Sequence, residues 1–462
     1  MEEILKIVGA VLNGKFECYV VGGYVRDRLL GIPSDDVDFV VIGSGPEAAK
    51  TLVNYLTEHG QSPEFRVFEN YGTAQVKWSG VEVEFVGARR EMYERGSRKP
   101  IVENGTLQDD LRRRDFTINA MAIQVSPLSK FGAEIDLFEG KKHLSQRVLD
   151  TPGDPNIAFS DDPLRILRGI RFSCRLRFDL SSRVLRAMKI NEPRLDIVSI
   201  ERVSCELTKI MMSQDPARGI ELLRETGLLQ RYLPELTALG SGTGERVDGH
   251  KDNLHHSIEV LRKVASRSDS VLLRWAALLH DIGKPATGKR DSSTGEWSFY
   301  GHEYVGSDMI PGIFNRLRLS GSKYVQKMVK LHMRPGFICT DIITDSAVRR
   351  LLCDAGPDID DLMLLGESDI SSGRLDRIER VKHHYEELRR ILKDLKERDA
   401  IRLFQPVLSG SDIMKLFSLR PGPQVGKIKD SIKNAVLDGV ASNTREDLIN
   451  YIRKTWNLHE KD

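Results

Sequence analysis

The apolar residues of this chain follow two different periods, and the change between them divides the sequence. Up to about residue 150, apolar residues alternate with polar ones or form short runs, as is typical of β-strands. These runs are ECYVVGG, VDFVVIG, TAQVKW, VEVEFVGA and INAMAIQV. Beyond about residue 155, apolar residues recur at helical spacing, as in PLRILRGIRFSCRLRF and VSCELTKIMM. The pattern predicts an α+β domain followed by an all-α remainder.

The length of 462 residues exceeds what one compact core accommodates, so two to four domains are expected. A polar, Gly-rich stretch at residues 240–253 indicates a connector, and a His-rich helical block follows it. Beyond that block, Leu388, Ile391, Leu392 and Leu395 form an apolar stripe on a highly charged helix, which indicates packing. We predict four domains, at residues 1–150, 151–240, 241–375 and 376–462.

The composition, with 40% hydrophobic and 29% charged residues, is that of a soluble globular protein. No apolar run is long enough to span a bilayer, and the N-terminal MEEILKIVGA resembles neither a secretory signal nor a transit peptide. The five cysteines show no CxxC spacing, which indicates free thiols rather than disulfides or a zinc cluster. We therefore expect a cytoplasmic protein without a membrane partner.

The charge distribution says more than the net charge of +2, because 69 basic residues nearly balance 67 acidic ones. Arginines crowd between Arg89 and Arg114 and again between Arg165 and Arg186. Basic residues close to acidic motifs suggest phosphate-rich ligands. On charge alone, however, two solvated and salt-bridged helix faces are the simpler explanation.

Two acids, Asp36 and Asp38, stand inside an otherwise apolar run, DVDFVVIG. Carboxylates are costly to desolvate unless they are paired or hold a metal. Alternate residues of a strand point to the same face, so these two carboxylates project side by side. That arrangement suits two Mg²⁺ ions, which prefer oxygen ligands. One ion would activate an attacking hydroxyl, and the other would steady a triphosphate.

Two further features surround the acid pair. Gly22 and Gly23 precede the helical stretch YVRDRLL, and glycine lets backbone N–H groups approach phosphate at a helix N-terminus. Later, VEVEFV places Glu82 and Glu84 on one face of another strand, and Glu84 is the candidate third catalytic carboxylate. Each feature alone is common, but their combination in this order is specific.

The stretch VGGYVRDRLLGIPSDDVDFV resembles the class II tRNA nucleotidyltransferase and poly(A) polymerase family. This resemblance implies a polymerase-β-like nucleotidyltransferase head, with a mixed sheet plus helices, in residues 1–150. An all-α neck, an HD domain and a C-terminal helical tail would follow. The resemblance also implies that Gly22, Gly23 and Arg26 bind nucleotide.

Two later motifs extend the resemblance. LRRRDFTINAMAI resembles the motif RRDFTxNAMA, which implies that Arg114 and Asp115 contact the nucleotide. SDDPLRILRGIRF resembles the base-reading motif EDxxR, which implies that Asp162 and Arg165 imitate a Watson–Crick partner for ATP or CTP. A carboxylate accepts from the amino group that A and C share, and an arginine donates to their ring nitrogens. One good bidentate pairing gives roughly 1–3 kcal/mol of discrimination.

The second motif departs from the family pattern in one residue, because Asp161 stands where Glu is usual. Arg165, Arg168, Arg171 and Arg175 fall on one broad helix face. A structural, salt-bridged face is one explanation; beside a metal site, we favour binding of triphosphate or RNA for the first three. ERVSCELTKI (residues 201–210) resembles a family helix that braces head and neck, and we assign it a structural role.

The product of members of this family varies between CCA, CC, a single A and poly(A). Enzymes restricted to CC are typically shortened in the loop before the RRD motif. Here that loop, residues 88–111, has full length and contains Arg89, Arg95 and Arg98. The C-terminus is short and mixed in charge, unlike the basic tail of many poly(A) polymerases. We therefore predict full CCA addition, with A-only or poly(A) addition as alternatives.

The histidines suggest a second site. LLHDIGKP, with His280 and Asp281, resembles the HD superfamily of metal-dependent phosphohydrolases. The resemblance implies a basic metal set and a second metal position formed by His302 and His332. The basic set would be His256, His280, Asp281 and Asp369. Imidazoles with carboxylates suit Ni²⁺, Mn²⁺ or Fe²⁺ better than Mg²⁺. We prefer His256 to the adjacent His255 because of its position before the Ser-Ile-Glu-Val helix.

Together these features predict a template-independent nucleotidyltransferase that uses Mg²⁺, ATP, CTP and the tRNA 3′ end, as a monomer or homodimer. The resemblance implies a phosphatase or 2′,3′-cyclic phosphodiesterase side activity in the HD domain. In the tail, residues 421–426 could contact RNA phosphate, although a plain helical turn fits equally. The rivals are a phosphohydrolase whose head binds RNA and a non-catalytic RNA-binding protein. Two complete metal sets argue against the second rival.

Overall fold

The computed structural model describes residues 1–69, 72–92, 101–241, 253–295, 297–339, 343–370, 375–398 and 406–458. It divides into two compact units, Met1–Pro234 and Glu235–Asp462. The predictions for Arg95, Arg98 and most of the connector at 240–253 fall outside the described residues. The four predicted domains remain a proposal about how these two units subdivide.

The first unit contains a seven-stranded mixed sheet with the order β3-β4-β5-β2-β1-β8-β9. In this sheet β2 and β5 run parallel, and the other neighbours are antiparallel. Two short pairs, β6 with β7 and β10 with β11, lie outside the sheet. The strands are β1 (Glu17–Val21), β2 (Asp36–Ile42), β3 (Glu64–Phe68), β4 (Thr73–Trp78), β5 (Val81–Gly87), β6 (Arg89–Met92), β7 (Ile101–Asn104), β8 (Met121–Ser126), β9 (Glu134–Asp136), β10 (Val148–Leu149) and β11 (Asp179–Leu180).

The helices of this unit follow the change of apolar period. Up to β10, helices lie between single strands or groups of strands, and after β10 the chain is helical apart from β11. The helices are α1 (Glu2–Leu12), α2 (Gly23–Leu30), α3 (Gly45–Glu58), α4 (Leu107–Arg112), α5 (Gly140–Gln146), α6 (Pro155–Asp161), α7 (Leu164–Leu176), α8 (Ser182–Asn191), α9 (Ile200–Met211), α10 (Pro216–Glu225) and α11 (Leu228–Tyr232). The predicted α+β head with a helical continuation is confirmed.

The centre of the sheet forms a dry core under the acid pair. Phe39 of β2 and Phe85 of β5 are fully buried, and their rings stack with centroids 4.9 Å apart. Helix α3 packs against β4 and β5, and its start comes very close to the sheet. A Cβ on Gly45 would lie 2.8 Å from the backbone of Val86, so this approach requires glycine.

Helix α7 has two chemically different faces. Ile166, Leu167 and Ile170 are fully buried, on the side that packs against α9 and α10. Arg165, Arg168 and Arg171 occupy the other side and keep part of their surface exposed. The apolar face therefore anchors α7, and the arginines remain available to line a site.

The second unit is helical apart from one two-stranded pair, β12 (Lys289–Arg290) with β13 (Trp297–Ser298), within the described residues. Its helices are α12 (Pro234–Ser241, starting at the unit boundary), α13 (Asn253–Ala265), α14 (Val271–Leu279), α15 (Lys284–Thr287), α16 (His302–Arg316), α17 (Ser322–Leu331), α18 (Met333–Ile338), α19 (Asp345–Ala355), α20 (Ile359–Asp369), α21 (Leu375–Arg398), α22 (Gly410–Phe417), α23 (Pro423–Leu437) and α24 (Arg445–Trp456).

Two apolar sets hold the end of this unit. On α21, Leu388, Leu392 and Leu395 are buried, as the apolar stripe predicts, whereas Ile391 is half-buried. Helices α22–α24 share a small core that includes Ile413 and Ile428. Among the described residues, no helix combines the length and apolar character needed to cross a membrane.

The stacked phenylalanines generate a stability prediction. Replacing Phe85 with alanine removes a fully buried ring, and we expect the free energy of unfolding of the first unit to fall by about 3–5 kcal/mol. Urea unfolding followed by circular dichroism measures this loss. The matched control is Phe68→Ala, because Phe68 is 42% exposed in edge strand β3. A loss below about 1 kcal/mol for Phe85→Ala would contradict the assigned core.

Candidate functional site

Four carboxylates lie on one face of the sheet, on the parallel central strands β2 and β5. In the register of this pair, Asp36 lies opposite Glu82 and Asp38 lies opposite Glu84. Paired residues of neighbouring strands point to the same face, so Asp38 and Glu84 share a face with Asp36. Asp36 is exposed at the start of its strand, whereas Asp38 is half-buried. The apolar residues around both acids in the sequence predicted that both are desolvated. That prediction is correct for Asp38 and wrong for Asp36.

The pKa of Asp38 reflects this setting. Burial and the neighbouring charge of Asp36 raise the pKa of Asp38 from 3.8 to about 6, and Arg114 only partly opposes them. Two carboxylates held this close repel one another, and a divalent cation between them relieves that repulsion. The all-oxygen donor set therefore fits Mg²⁺.

Gly22 closes the site against the start of α2. Its φ of +74° lies in the region that favours glycine. A Cβ on Gly22 would lie 2.8 Å from Nη1 of Arg114 and 3.7 Å from Oδ2 of Asp38. Glycine is favoured here by the positive φ and by the close approach of the Arg114 guanidinium, and the Asp38 carboxylate lies within van der Waals contact.

Arg114 is held by a residue that the sequence motifs did not single out. Asp110 of α4 is fully buried, and each of its carboxylate oxygens accepts from a different arginine. Oδ1 accepts from Arg113, and Oδ2 accepts from Nε and Nη2 of Arg114 at 3.2 and 3.1 Å. Asp110 thereby orients Arg114, whose Nη1 lies next to Gly22. In the sequence, the available signal was that Asp110 stands three and four residues before Arg113 and Arg114, a spacing of about one helical turn.

Asp115 links the segment after α4 to helix α7 through hydrogen bonds. Its Oδ2 accepts from Nε and Nη2 of Arg168 at 2.8 and 2.5 Å, and its Oδ1 accepts from the Asn119 amide at 2.9 Å. Burial would raise the pKa of Asp115, but Arg168 and Asn119 outweigh burial and lower the pKa to about 2. Asp115 therefore remains a carboxylate at neutral pH and fixes Arg168 in place.

Each guanidinium nitrogen of Arg26 donates a hydrogen bond to another residue of the protein. Nε and Nη2 donate to Asp27 at 2.7 and 2.8 Å, and Nη1 donates to Asn119 at 2.7 Å. Arg26 is only 3% exposed. Its most visible contribution is to brace α2 against the Asn119 segment, and its proposed contact with nucleotide remains a prediction.

The two predicted base-reading residues lie at the junction of α6 and α7. Asp162 caps the end of α6, and its Oδ1 accepts from the backbone N–H of Leu164 at 3.3 Å. Arg165 donates through Nη2 to the carbonyl of Arg113 at 2.5 Å and through Nη1 to the carbonyl of Ala158 at 3.4 Å. Backbone carbonyls therefore set the direction of the Arg165 side chain.

These residues line one open cavity of about 490 Å³ inside the first unit. Of the predicted residues, Glu84 does not belong to the cavity wall. The cavity brings together Gly22, Gly23, Arg26, Asp36, Asp38, Arg114, Asp115, Asp162, Arg165, Arg168 and Arg171. It also includes residues that the sequence analysis did not propose, namely Arg113, Asn119, Leu164, Phe172, Arg175 and Arg202.

The second unit contains a separate cluster of imidazoles and carboxylates. Asp281 lies at its centre, with its Oδ1 3.2 Å from Nε2 of His302 and its Oδ2 3.2 Å from Nε2 of His280. On one side, Oδ1 of Asp369 lies 2.7 Å from Nε2 of His256 and 3.3 Å from Nε2 of His280. On the other side, the Nε2 atoms of His302 and His332 are 3.3 Å apart.

This cluster brings together all six predicted ligands. Two overlapping groups have ligand atoms within 4.8 Å of one another: His256, His280 and Asp369, and His280, Asp281 and His332. His302 contacts the second group through Asp281. His255, the alternative to His256, is exposed.

The donor set of the cluster fits metal ions. Nδ1 of His280, His302 and His332 donates to the carbonyl oxygens three residues earlier, at 2.9, 2.8 and 2.6 Å. In the neutral imidazole these bonds fix the tautomer that presents a lone pair on Nε2, as in metal-bound histidines. Nε2 of His280 is buried and forms no hydrogen bond, although it lies 3.2 and 3.3 Å from oxygens of Asp281 and Asp369.

The pKa values of the cluster follow from burial and mutual charge. Burial and the nearby His280 lower the pKa of His332 to about 4, so His332 is neutral at neutral pH. Burial opposes charge on His280, but Asp281 and Asp369 outweigh it and raise its pKa to about 10. The two carboxylates therefore favour a positive charge between them, which a divalent cation supplies.

Family models match three parts of the chain. They are described as the poly A polymerase head domain (residues 18–150), the "probable RNA and SrmB-binding site of polymerase A" (residues 177–239) and the HD domain (residues 253–351). The first match contains the acid pair, and the third contains five of the six candidate HD ligands. The fold and the two sites define a nucleotidyltransferase with an HD domain.

Individual proteins agree with these matches. The chain is 33% identical over 442 residues to the A-adding tRNA nucleotidyltransferase of Deinococcus radiodurans, covering 92% of this chain and 93% of the relative. It is 36% identical over 311 residues to the multifunctional CCA protein of Paraburkholderia phymatum, covering 65% and 70%. A solved tRNA nucleotidyltransferase, complexed with a primer tRNA and an incoming ATP analogue, is 26% identical with a TM-score of 0.57, covering 83% and 99%. The chain belongs to the tRNA nucleotidyltransferase and poly(A) polymerase family.

The raised pKa of Asp38 generates a prediction about stability and pH. The folded protein binds this proton more tightly than the unfolded chain, so stability falls as the pH rises from about 3.8 to about 6, and the deficit persists above that. Without divalent metal at pH 7.5, Asp38→Asn should raise the free energy of unfolding by up to about 3 kcal/mol. Urea titrations in EDTA measure this gain.

Two controls make this prediction specific. The gain should nearly disappear at pH 4, where Asp38 of the native protein is already protonated. Asp35→Asn removes an exposed neighbouring acid and should change stability by less than about 0.5 kcal/mol. A gain from Asp38→Asn of equal size at pH 4 and pH 7.5 would contradict the electrostatic explanation.

Proposed function

We propose that this protein adds CMP and AMP, taken from CTP and ATP, to the tRNA 3′ end and thereby completes the CCA sequence. The observation that supports this proposal most strongly is the composition of the cavity in the first unit. There, Asp36 and Asp38 line the same cavity as Asp162 and Arg165, although more than 120 residues separate the two pairs in sequence.

The reaction joins the RNA to the nucleotide through its α-phosphorus. The terminal 3′-oxygen forms a bond to that phosphorus, the bond to the bridging oxygen of the β-phosphate breaks, and pyrophosphate leaves. The hydroxyl proton passes to solvent. Asp36 and Asp38, with Glu84 adjoining, would hold two Mg²⁺ ions, which would activate the hydroxyl and neutralise phosphate charge.

The chain itself positions the triphosphate. The backbone at Gly22 and Gly23 presents the start of α2 to phosphate oxygens. Arg114, oriented by Asp110, directs Nη1 toward the same place. A guanidinium held in advance stabilises the charge on the leaving group without reorganisation during the reaction.

Base selection belongs to α6 and α7. Asp162 accepts a hydrogen bond from the amino group that adenine and cytosine share, and Arg165 donates to their ring nitrogens. The carbonyls of Arg113 and Ala158 hold Arg165 in its orientation. U and G present the opposite pattern of donors and acceptors, so both are disfavoured.

Addition of a terminal A alone is the second candidate. It is favoured by one observation, the match of the A-adding enzyme of Deinococcus radiodurans over 92% of this chain. The multifunctional CCA protein of Paraburkholderia phymatum matches a smaller share, 65%, at slightly higher identity. The two candidates differ in the RNA end that they accept, which an assay resolves directly.

We also propose that the HD cluster binds divalent transition metal and hydrolyses phosphate esters, including 2′,3′-cyclic phosphates at RNA ends. The support is the convergence of six ligands and the unpartnered, buried Nε2 of His280. Metal held by these residues would supply an activated water. The chain contributes Lys284, whose Nζ lies 2.5 Å from Oδ2 of Asp281 and carries positive charge next to the ligands.

The nucleotide-addition proposal predicts a specific pattern with three tRNA transcripts, ending before CCA, after C and after CC. With Mg²⁺, CTP and ATP, each should be completed to CCA and extended no further, as resolved on denaturing gels. Asp36→Ala should lower incorporation by at least about a thousandfold because the metal loses a ligand. Asp35→Ala is the matched control and should retain near-native activity.

Other patterns identify the alternatives. Extension of only the transcript that ends in CC establishes an A-adding enzyme. Long A tails establish a poly(A) polymerase. No incorporation by a folded protein contradicts the proposal.

The HD proposal predicts different behaviour for two neighbouring histidines. His256→Ala should reduce bound Ni²⁺ or Mn²⁺, measured by mass spectrometry of dialysed protein, and reduce 2′,3′-cyclic AMP hydrolysis by at least about a hundredfold. His255→Ala alters the exposed neighbour and should do neither. Both variants should add nucleotides normally. Equal metal content in both variants would contradict the assigned ligand set.

A further inference from the structure

The cavity of the first unit has an arginine-rich part that nucleotide binding does not account for. Arg171 and Arg175 project from α7, and Arg202 projects from α9, and all three line the cavity. The Arg175 side chain is 54% exposed, and Arg202 is also exposed. Arg171 lies deeper, with Nε 3.2 Å from Oε2 of the buried Glu206.

The arginine part carries excess positive charge. With the neighbouring Arg26 and Arg168 it contains five guanidinium groups, of which three are paired closely with a carboxylate. Asp27 pairs with Arg26, Asp115 pairs with Arg168, and Glu206 pairs with Arg171. Arg175 only approaches Asp27, at 3.9 Å, and that carboxylate is already engaged. The excess of two positive charges, on Arg175 and Arg202, suits an anion.

Phe172 holds part of this group in place. Phe172 is only 4% exposed, and the guanidinium carbons of Arg26, Arg168 and Arg171 lie 5.4, 5.7 and 4.6 Å from the centroid of its ring. These cation–π interactions fix the positions of the three guanidinium groups and leave their positive charge in place. Planar guanidinium groups fixed in this way suit phosphate oxygens better than flexible lysines.

We propose that Arg171, Arg175 and Arg202 form a binding site for a backbone phosphodiester of the RNA strand that receives the nucleotide. This inference rests on the proposed function. The triphosphate has its own partners in Gly22, Arg114 and the metal-binding acids, and the base has Asp162 and Arg165. A strand whose 3′-hydroxyl reaches the acids must bring a phosphate within the same cavity, and the arginine part offers the matching charge.

The test uses the double variant Arg175→Ala, Arg202→Ala in the full-length protein. Arg171 is left unchanged because its removal would leave the buried Glu206 carboxylate with only Lys209, at 3.5 Å. The matched control is Arg186→Ala, an exposed arginine on α8 outside the cavity wall. The substrates are ATP and a tRNA transcript ending in CC, which both proposed products require.

The expected result is a KM for tRNA about tenfold or more above the native value, with kcat and the KM for ATP within about twofold. The salt dependence of tRNA binding, measured by fluorescence anisotropy without ATP, should weaken by a slope of about 0.7 for each arginine–phosphate pair that the variant removes. Arg186→Ala should match the native protein in all of these measurements. A thermal midpoint equal to the native one shows that the double variant remains folded.

Two outcomes would overturn the inference. A rise in the KM for ATP with an unchanged KM for tRNA would assign the arginines to the triphosphate instead. Native values for both would show that the arginines bind neither substrate. If native protein adds no nucleotide, the proposed function fails separately; the anisotropy measurement still tests the subsite, and equal tRNA affinity of the native and double-variant proteins overturns it.

Discussion

The parallel register of β2 with β5 is the constraint on which the first site depends. It sets Asp38 opposite Glu84 and stacks Phe39 on Phe85 on the other face. A slip of one residue would exchange the two faces, placing the carboxylates in the core and the rings in solvent. The apolar stack therefore does more than stabilise the sheet, because it fixes the direction in which the acids point.

A second constraint is the cost of concentrating like charges. Burial and the charge of Asp36 raise the pKa of Asp38 to about 6, and arginines crowd the remainder of the cavity. Buried carboxylates at Asp110 and Asp115 hold arginines in fixed directions. The protein thus gives up folding stability for a site organised before substrate arrives, a cost that the cation and phosphates of the proposed function would offset.

The HD cluster also concentrates carboxylates, but it combines them with imidazoles. Three of its histidines are fixed by carbonyl oxygens of their own helical or turn segments, so the direction of each lone pair is set locally. The carboxylates of Asp281 and Asp369 then come from different elements and complete the charge. Imidazole donors suit transition metals here, whereas the oxygen donors of the head suit Mg²⁺.

Much of this could be predicted from the sequence because the signals are local. The change of apolar period separated the α+β head from the helices, and spacing placed Asp36 with Asp38 and Arg165 with Arg168 on common faces. The six candidate HD ligands were inferred from the resemblance of short motifs to the HD superfamily. Local spacing also left His255 and His256 distinguishable only by their position before a helix, and folding places the first in solvent and the second beside Asp369.

Only the tertiary structure could decide which residues from different elements share a site. It placed Asp110 beneath Arg113 and Arg114, engaged Arg26 with Asp27 and Asn119, and brought Arg202 of α9 to the cavity although its helix had been assigned a purely structural role. Periodicity fixes the direction of a side chain within one helix or strand. The partners that it meets depend on how distant elements pack, and no local pattern encodes that packing.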